Sequence, residues 1–151
     1  MNKPIVAVIP AFGVGLRFGR SHPKQLAELN GKSILAWSID ALCQDVRVEK
    51  IYVVLPKDYW ADILWSEWNG RVIPLDQGGE TRASTVRKAL EHILTTYPKD
   101  TWVLVHDAVR PLLSQGKLTL LINTVLAHQQ GGILALPLSD TLKKSDGVNR
   151  I

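Results

Sequence analysis

Ile5-Val6-Ala7-Val8-Ile9-Pro10-Ala11-Phe12-Gly13-Val14-Gly15-Leu16-Arg17-Phe18-Gly19-Arg20-Ser21-His22-Pro23-Lys24-Gln25 is the stretch that decides the fold. The apolar run from Ile5 to Ile9 describes a strand buried on both faces, as in parallel sheets. It opens into a loop carrying Gly13 and Gly15, residues that accept positive φ and let backbone N–H groups approach an anion closely. Arg17 and Lys24 add two cations to that loop. A loop so built is able to wrap a triphosphate, with amides on one side and cations on the other. The plainer alternative is an ordinary glycine-rich connection.

Two better-known phosphate loops fit less well. The dinucleotide fingerprint G-x-G-x-x-G is incomplete, because Phe18 stands where its last glycine belongs and Gly19 arrives one residue late. Gly31-Lys32-Ser33 looks like the end of a P-loop, but Leu26 occupies the position of the required first glycine. Asn30-Gly31-Lys32 reads instead as a turn, and Ser33 as the N-cap of a helix.

Outward from this segment the chain alternates. Helical spacing over Ser33 to Leu42 is followed by an apolar strand, Ile51 to Leu55, closed by Pro56. Trp60, Ile63, Leu64 and Trp68 recur at three or four and predict a helix from Lys57 to Trp68. Val72 to Leu75 reads as a strand, Ala83 to Thr95 as a helix, Trp102 to Val105 as a strand, Leu118 to Ala127 as a helix and Ile133 to Leu136 as a further strand. Strands separated by helices imply βαβ units with right-handed crossovers. The expected fold is α/β: an open, mostly parallel sheet with helices on both faces, in three layers α/β/α. Such sheets bind ligands beyond the carboxyl ends of their strands.

Two further motifs follow predicted strands. Gly78-Gly79-Glu80-Thr81-Arg82-Ala83-Ser84-Thr85-Val86 opens a helix whose first N–H groups are free for an acceptor. Capping by Glu80 or Thr81 is compatible with that role. His106-Asp107-Ala108-Val109-Arg110-Pro111 follows the strand ending at Val105. A carboxylate there is placed either to hold Mg²⁺ against phosphate oxygens or to cap a turn.

Composition narrows the field. The chain has 151 residues, 46% hydrophobic and 21% charged, enough for one globular domain with a core. Its net charge of +4 is scattered, with no basic stripe or cluster, so nucleic-acid binding is not expected. A small anionic substrate needs only a few placed cations. The single cysteine, Cys43, supports neither a disulfide framework nor a four-cysteine zinc site. No apolar run has membrane-spanning length and no signal peptide is evident at Met1 to Val8, so a soluble, cytoplasmic protein with no membrane partner is expected.

Taken together, the motifs resemble the sugar- and polyol-phosphate nucleotidyltransferases, and most of all the methylerythritol phosphate cytidylyltransferases. That family's signature reads Pro-Ala-Ala-Gly-x-Gly-x-Arg-Met, then Pro-Lys-Gln. The resemblance implies a Rossmann-like fold of the nucleotide-diphospho-sugar transferase type. It implies catalytic roles for Arg17 and Lys24, and nucleotide contacts at Pro10, Ala11, Phe12, Gly13 and Gly15. Phe12 stands where the family has alanine, so its ring either narrows the pocket or points away. The family's Gly-Gly-x-x-Arg-x-x-Ser-Val stretch recognises cytosine, a role that falls to Gly79, Glu80 and Thr85. His-Asp-Ala-x-Arg-Pro makes Asp107 the Mg²⁺ ligand, with His106 and Arg110 in support. Pro-x-x-Asp-Thr-x-Lys makes Asp140 and Thr141 contacts to the polyol phosphate.

The reaction implied joins CTP to 2-C-methyl-D-erythritol 4-phosphate and releases pyrophosphate. Ribitol 5-phosphate cytidylyltransferase activity is the nearest alternative, sharing the glycine loop and the His-Asp-Ala-Val-Arg-Pro motif. Arg82-Ala83-Ser84-Thr85-Val86 and Pro10 favour the methylerythritol group. The resemblance also implies a longer protein, a homodimer, whose dimerising arm starts at about residue 137. An arginine on that arm, a lysine in a later Lys-Val-Thr stretch, and a final strand and helix have no counterpart before Ile151. A non-catalytic CTP-binding fragment is therefore the alternative from outside the enzymes.

Overall fold

The computed structural model describes residues 3–13 and 23–141. The chain divides into two compact units, Met1–Thr119 and Leu120–Ile151. The first carries four parallel strands, β1 (Ile5–Pro10), β4 (Val48–Val54), β5 (Val72–Leu75) and β6 (Trp102–Val105), in the order β5-β4-β1-β6. β1 is central, with Ala7 opposite both Ile51 and Leu104. Ile5 to Ile9 is buried throughout, as the run predicts for a strand covered on both faces.

Side chains alternate across a strand, so each face has its own core. Val6 and Val8 of β1, with Tyr52 and Val54 of β4, form one cluster with Leu75 and with Ala89 and Ile93 of α2 (Arg82–Ile93). Ala7, Ile9, Ile51 and Val53 point the other way and are fully buried. So are Leu35 and Ile39 of α1 (Ile34–Cys43), the helix that crosses from β1 to β4. This is the open α/β sheet with helices on both faces that the alternation predicts.

Local signals behave as read at the start of α1. β2 (Glu28–Leu29) pairs antiparallel with β3 (Lys32–Ser33) around Asn30 and Gly31, whose φ values of 51° and 79° make the turn that asparagine and glycine favour. The Ser33 hydroxyl then accepts the Ala36 N–H at 3.1 Å and starts the helix.

Two elements differ from expectation. Lys57 to Trp68 is not an α-helix but two 3₁₀ turns, Lys57–Asp62 and Trp65–Trp68, parted at Ile63 by extended backbone. The indoles compete with helical bonding: Trp60 Nε1 donates to the Leu55 carbonyl at 2.9 Å, and Trp65 Nε1 to the Trp60 carbonyl at 2.8 Å. Trp68 Nε1 donates to Asp40 of α1 at 2.7 Å, and Lys32 bridges Asp40 and Glu67, so long-range contacts set this segment.

In the second unit, Ile133 to Leu136 is exposed and forms no strand. A strand exists only where a neighbour takes its backbone hydrogen bonds, and no described residue pairs with it. The helix α3 (Gln115–His128) precedes it. No helix among the described residues is long and apolar enough to cross a membrane.

Candidate functional site

The strand order places the topological switch between β1 and β6, since successive strands proceed from β1 toward β5 and the chain then returns to β1's other side. Ligand crevices form at such points, outside the carboxyl ends of the strands. Here a cavity of about 580 Å³ opens at that end. Pro10, Ala11, Phe12 and Gly13 enter it from the end of β1, and Lys24 and Gln25 from the 3₁₀ turn Lys24–Leu26. Gly79, Glu80, Thr81, Arg82 and Thr85 come from the start of α2, and Asp107 to Arg110 from the turn after β6.

Each wall is fastened by identifiable bonds. The Ala11 N–H donates to the Val54 carbonyl at 2.8 Å, extending the β1–β4 ladder past Pro10. Gln25, buried, donates through Nε2 to the carbonyls of Ala11 (2.7 Å) and Gly13 (3.1 Å). The Pro-Lys-Gln triplet thus anchors the glycine loop through its glutamine and leaves the Lys24 side chain exposed beside the cavity.

On the second wall, Thr81 caps α2: its hydroxyl accepts the Ser84 N–H at 3.0 Å while Ser84 Oγ accepts the Thr81 N–H at 2.9 Å. Capping therefore belongs to Thr81, and Glu80 is exposed. Thr85 is buried and clasps Gly79: the Gly79 N–H donates to Thr85 Oγ1 at 3.0 Å, and the Thr85 hydroxyl lies 3.3 Å from the Gly79 carbonyl. A Cβ at Gly79 would overlap Ser84, which explains the glycine.

The third wall is charged. Arg82 donates through Nε (3.0 Å) and Nη2 (2.7 Å) to Asp107 Oδ1, and Arg110 Nε donates to Asp107 Oδ2 at 2.8 Å. Burial acts to raise the Asp107 pKa, but the hydrogen bonds and charges of Arg110 and Arg82 prevail, holding the carboxyl below its usual range. Burial pushes the His106 imidazole below its ordinary value, so the ring is neutral at neutral pH. Its Nε2 lies 3.0 Å from the Arg110 carbonyl, which only accepts, so Nε2 carries the proton. Beneath this turn the buried Ser38 hydroxyl of α1 donates to the Ala108 carbonyl at 3.0 Å.

The structure thus brings Pro10, Ala11, Phe12, Gly13, Lys24, Gly79, Glu80, Thr85 and Asp107 around one cavity. Gly15 and Arg17 lie outside the described residues. Asp140 and Thr141 are exposed residues of the second unit. From sequence, Arg82 and Gln25 were read only as members of motifs, with no role of their own, and Ser38 was not read at all. Their partners lie 25, 12–14 and 70 residues away, and only the strand order brings them together. Among the described residues no three His, Cys, Asp or Glu side chains gather to hold a metal. A metal shared with substrate phosphates needs only one or two carboxylates, and ionised Asp107 offers one to the cavity.

The family described as 2-C-methyl-D-erythritol 4-phosphate cytidylyltransferase matches residues 5–151. A protein of that name from Dechloromonas aromatica is 39% identical over 147 residues, covering 96% of this chain and 64% of its own length. One from Nitrosospira multiformis is 42% identical over 144 residues, covering 93% and 62%. The chain therefore spans under two thirds of the length of these curated relatives. Among solved structures, a 4-diphosphocytidyl-2C-methyl-D-erythritol synthase superposes with a TM-score of 0.81 at 32% identity, covering 99% of this chain and 67% of its own. The 2-C-methyl-D-erythritol 4-phosphate cytidylyltransferase of Francisella tularensis superposes with a TM-score of 0.78 at 31% identity, covering 95% and 62%. A match that runs from residue 5 to residue 151, on a sheet that superposes this well, makes the chain a member of the 2-C-methyl-D-erythritol 4-phosphate cytidylyltransferase family.

Proposed function

We propose that this chain carries the nucleotide site of a cytidylyltransferase that joins CTP to 2-C-methyl-D-erythritol 4-phosphate, giving 4-diphosphocytidyl-2-C-methyl-D-erythritol and pyrophosphate for isoprenoid synthesis. The observation that carries this reading is the cavity at the switch point. Its three walls are the three motifs of the family signature, and its chemistry is divided between backbone amides, cations and the carboxylates of Glu80 and Asp107.

In this reading an oxygen of the acceptor phosphate attacks the α-phosphorus of CTP in line. A new P–O bond forms as the bond to the bridging oxygen of the β-phosphate breaks, and pyrophosphate leaves with that electron pair. The attacking phosphate is already ionised, so no general base is needed. Catalysis is positioning together with neutralisation of charge as it grows on the phosphate oxygens. Lys24, with Arg17, supplies cations to the triphosphate, and the loop from Ala11 to Gly15 supplies backbone N–H groups. The turn at Gly79 and Glu80, clasped by Thr85, receives the cytosine. Asp107 is the residue that would hold Mg²⁺, which when bound supplies further neutralisation of phosphate charge. Asp140 and Thr141 serve the polyol phosphate, and the stretch from about residue 137 begins the arm that pairs two copies in the cytoplasm.

The test is pyrophosphate release from CTP, Mg²⁺ and the polyol phosphate, with Lys24→Ala alongside. The expected outcome is release that requires the acceptor and falls about 10²–10³-fold in the variant. CTP binding without release would assign the cavity to nucleotide binding alone. Faster turnover of ribitol 5-phosphate would replace the acceptor.

A further inference from the structure

Phe12 belongs to two parts of the molecule at once. It lines the cavity, and it also packs against the buried cluster that Val6, Val8, Tyr52 and Val54 form with Leu75 and with Ala89 and Ile93 of α2. The same ring fills the space beside Gly78, where any Cβ would overlap three of its carbons. The turn at Gly78 and Gly79 is held from three directions. Lys88 Nζ donates to the Gly78 carbonyl at 2.7 Å, and Thr85 clasps Gly79. Both of those grips come from α2. Phe12 comes from the loop after β1, so its ring ties the turn at Gly78 to that loop. The ring fills the space between the two.

We propose that Phe12 is a positioning residue for base recognition, whose ring props the Gly78-Gly79 turn against β1 so that the turn distinguishes cytosine from uracil. The proposal rests on the CTP reading of the cavity. Cytosine and uracil are nearly the same size and differ in the donors and acceptors they present. Discriminating them therefore depends on polar groups held at fixed positions, not on cavity volume. An unsupported glycine pair is the least rigid backbone available, because glycine has the most conformational freedom to lose. Removing the ring leaves the α2 grips in place and takes away the support on the β1 side.

The experiment is isothermal titration of the 151-residue chain, Phe12→Ala and Phe12→Leu with CTP, UTP and inorganic tripolyphosphate, all with Mg²⁺. The expected result is a roughly tenfold fall in CTP affinity for Phe12→Ala. Its CTP-to-UTP ratio should move toward one, and its tripolyphosphate affinity should match the parent. Phe12→Leu, which refills only part of the space, should give a ratio between those of Phe12→Ala and the parent, so it carries the comparison if the alanine variant does not fold. An unchanged CTP-to-UTP ratio in folded Phe12→Ala or Phe12→Leu, beside a discriminating parent, overturns the role of Phe12 alone. Equal loss of CTP and tripolyphosphate does the same, since it marks a general loosening. A parent that binds neither nucleotide, or both alike, overturns the CTP reading and this inference with it.

Discussion

Asp107 meets two guanidinium groups, one on each carboxylate oxygen, at the mouth of the cavity. The Arg82 and Arg110 side chains are 59% and 75% exposed, so these pairs contribute little to stability, within about 0–1 kcal/mol each. Their effect falls instead on the carboxyl, which they keep ionised. Asp107→Asn preserves the shape and removes the charge. Thermal unfolding of this variant is expected to shift little. Pyrophosphate release should fall by about 10²–10³-fold and need more Mg²⁺ to reach half its maximum. An unaltered Mg²⁺ titration would remove Asp107 from the metal site. This residue was legible through the His106-Asp107-Ala108-Val109-Arg110-Pro111 motif at the ligand edge, since a lone carboxylate after a strand serves as readily to cap a turn. Its partner Arg82 was not, because nothing local in the sequence links positions 82 and 107.

At the scale of elements, the turn from α1 into β4 shows how a buried charge is made stable. Asp45 is 6% exposed. It accepts Arg47 Nε at 2.9 Å, Arg47 Nη2 at 2.6 Å, the Arg47 N–H at 3.0 Å and the Thr119 hydroxyl at 3.2 Å. The Arg47 hydrogen bonds outweigh burial and bring the Asp45 pKa down to about 2. Its unfolded value is about 3.9, so the native state gains stability that is complete above that value and lost as pH falls toward 2. Two units correspond to about 2–3 kcal/mol. Asp45→Asn should thus lower stability by about 2 kcal/mol in urea unfolding at pH 7 and by much less near pH 2. An equal loss at both would show a packing defect and not the charge. Elements themselves were legible where one signal dominated. Ile5 to Ile9 and Val72 to Leu75 are strands because unbroken apolar runs suit a sheet covered on both faces. The stretch from Lys57 misled because Trp60, Ile63, Leu64 and Trp68 keep helical spacing, while the acceptors that the Trp60 and Trp68 indoles reach, the Leu55 carbonyl and the Asp40 carboxylate, are fixed by the tertiary fold.

Across the whole molecule, the site was legible because a parallel sheet turns order along the chain into position in space. Residues following β1, β5 and β6 must meet at one edge, so motifs near positions 13, 79 and 107 converge without any sequence signal between them. The same logic fails for Ile133 to Leu136. An apolar run records that a segment suits a strand, not that a partner strand is present. Stability is therefore distributed unevenly. Residues 5–9 of β1 and 51–54 of β4 are buried, while 129–141 has no regular structure and leaves Ile133, Leu136 and Leu138 at 85%, 85% and 69% exposure. Segments with exposed backbone and few buried contacts open at almost no free-energy cost and are where proteases enter. Limited chymotrypsin digestion should cut first after Leu134 or Leu138, sparing Leu136 because Pro137 follows it. These cuts should precede any within the described residues of Met1–Thr119. Mass spectrometry of the earliest fragments reads the order directly. First cuts inside β1 or β4 would mean that the core of the first unit, and with it the floor of the cavity, opens more readily than its burial requires.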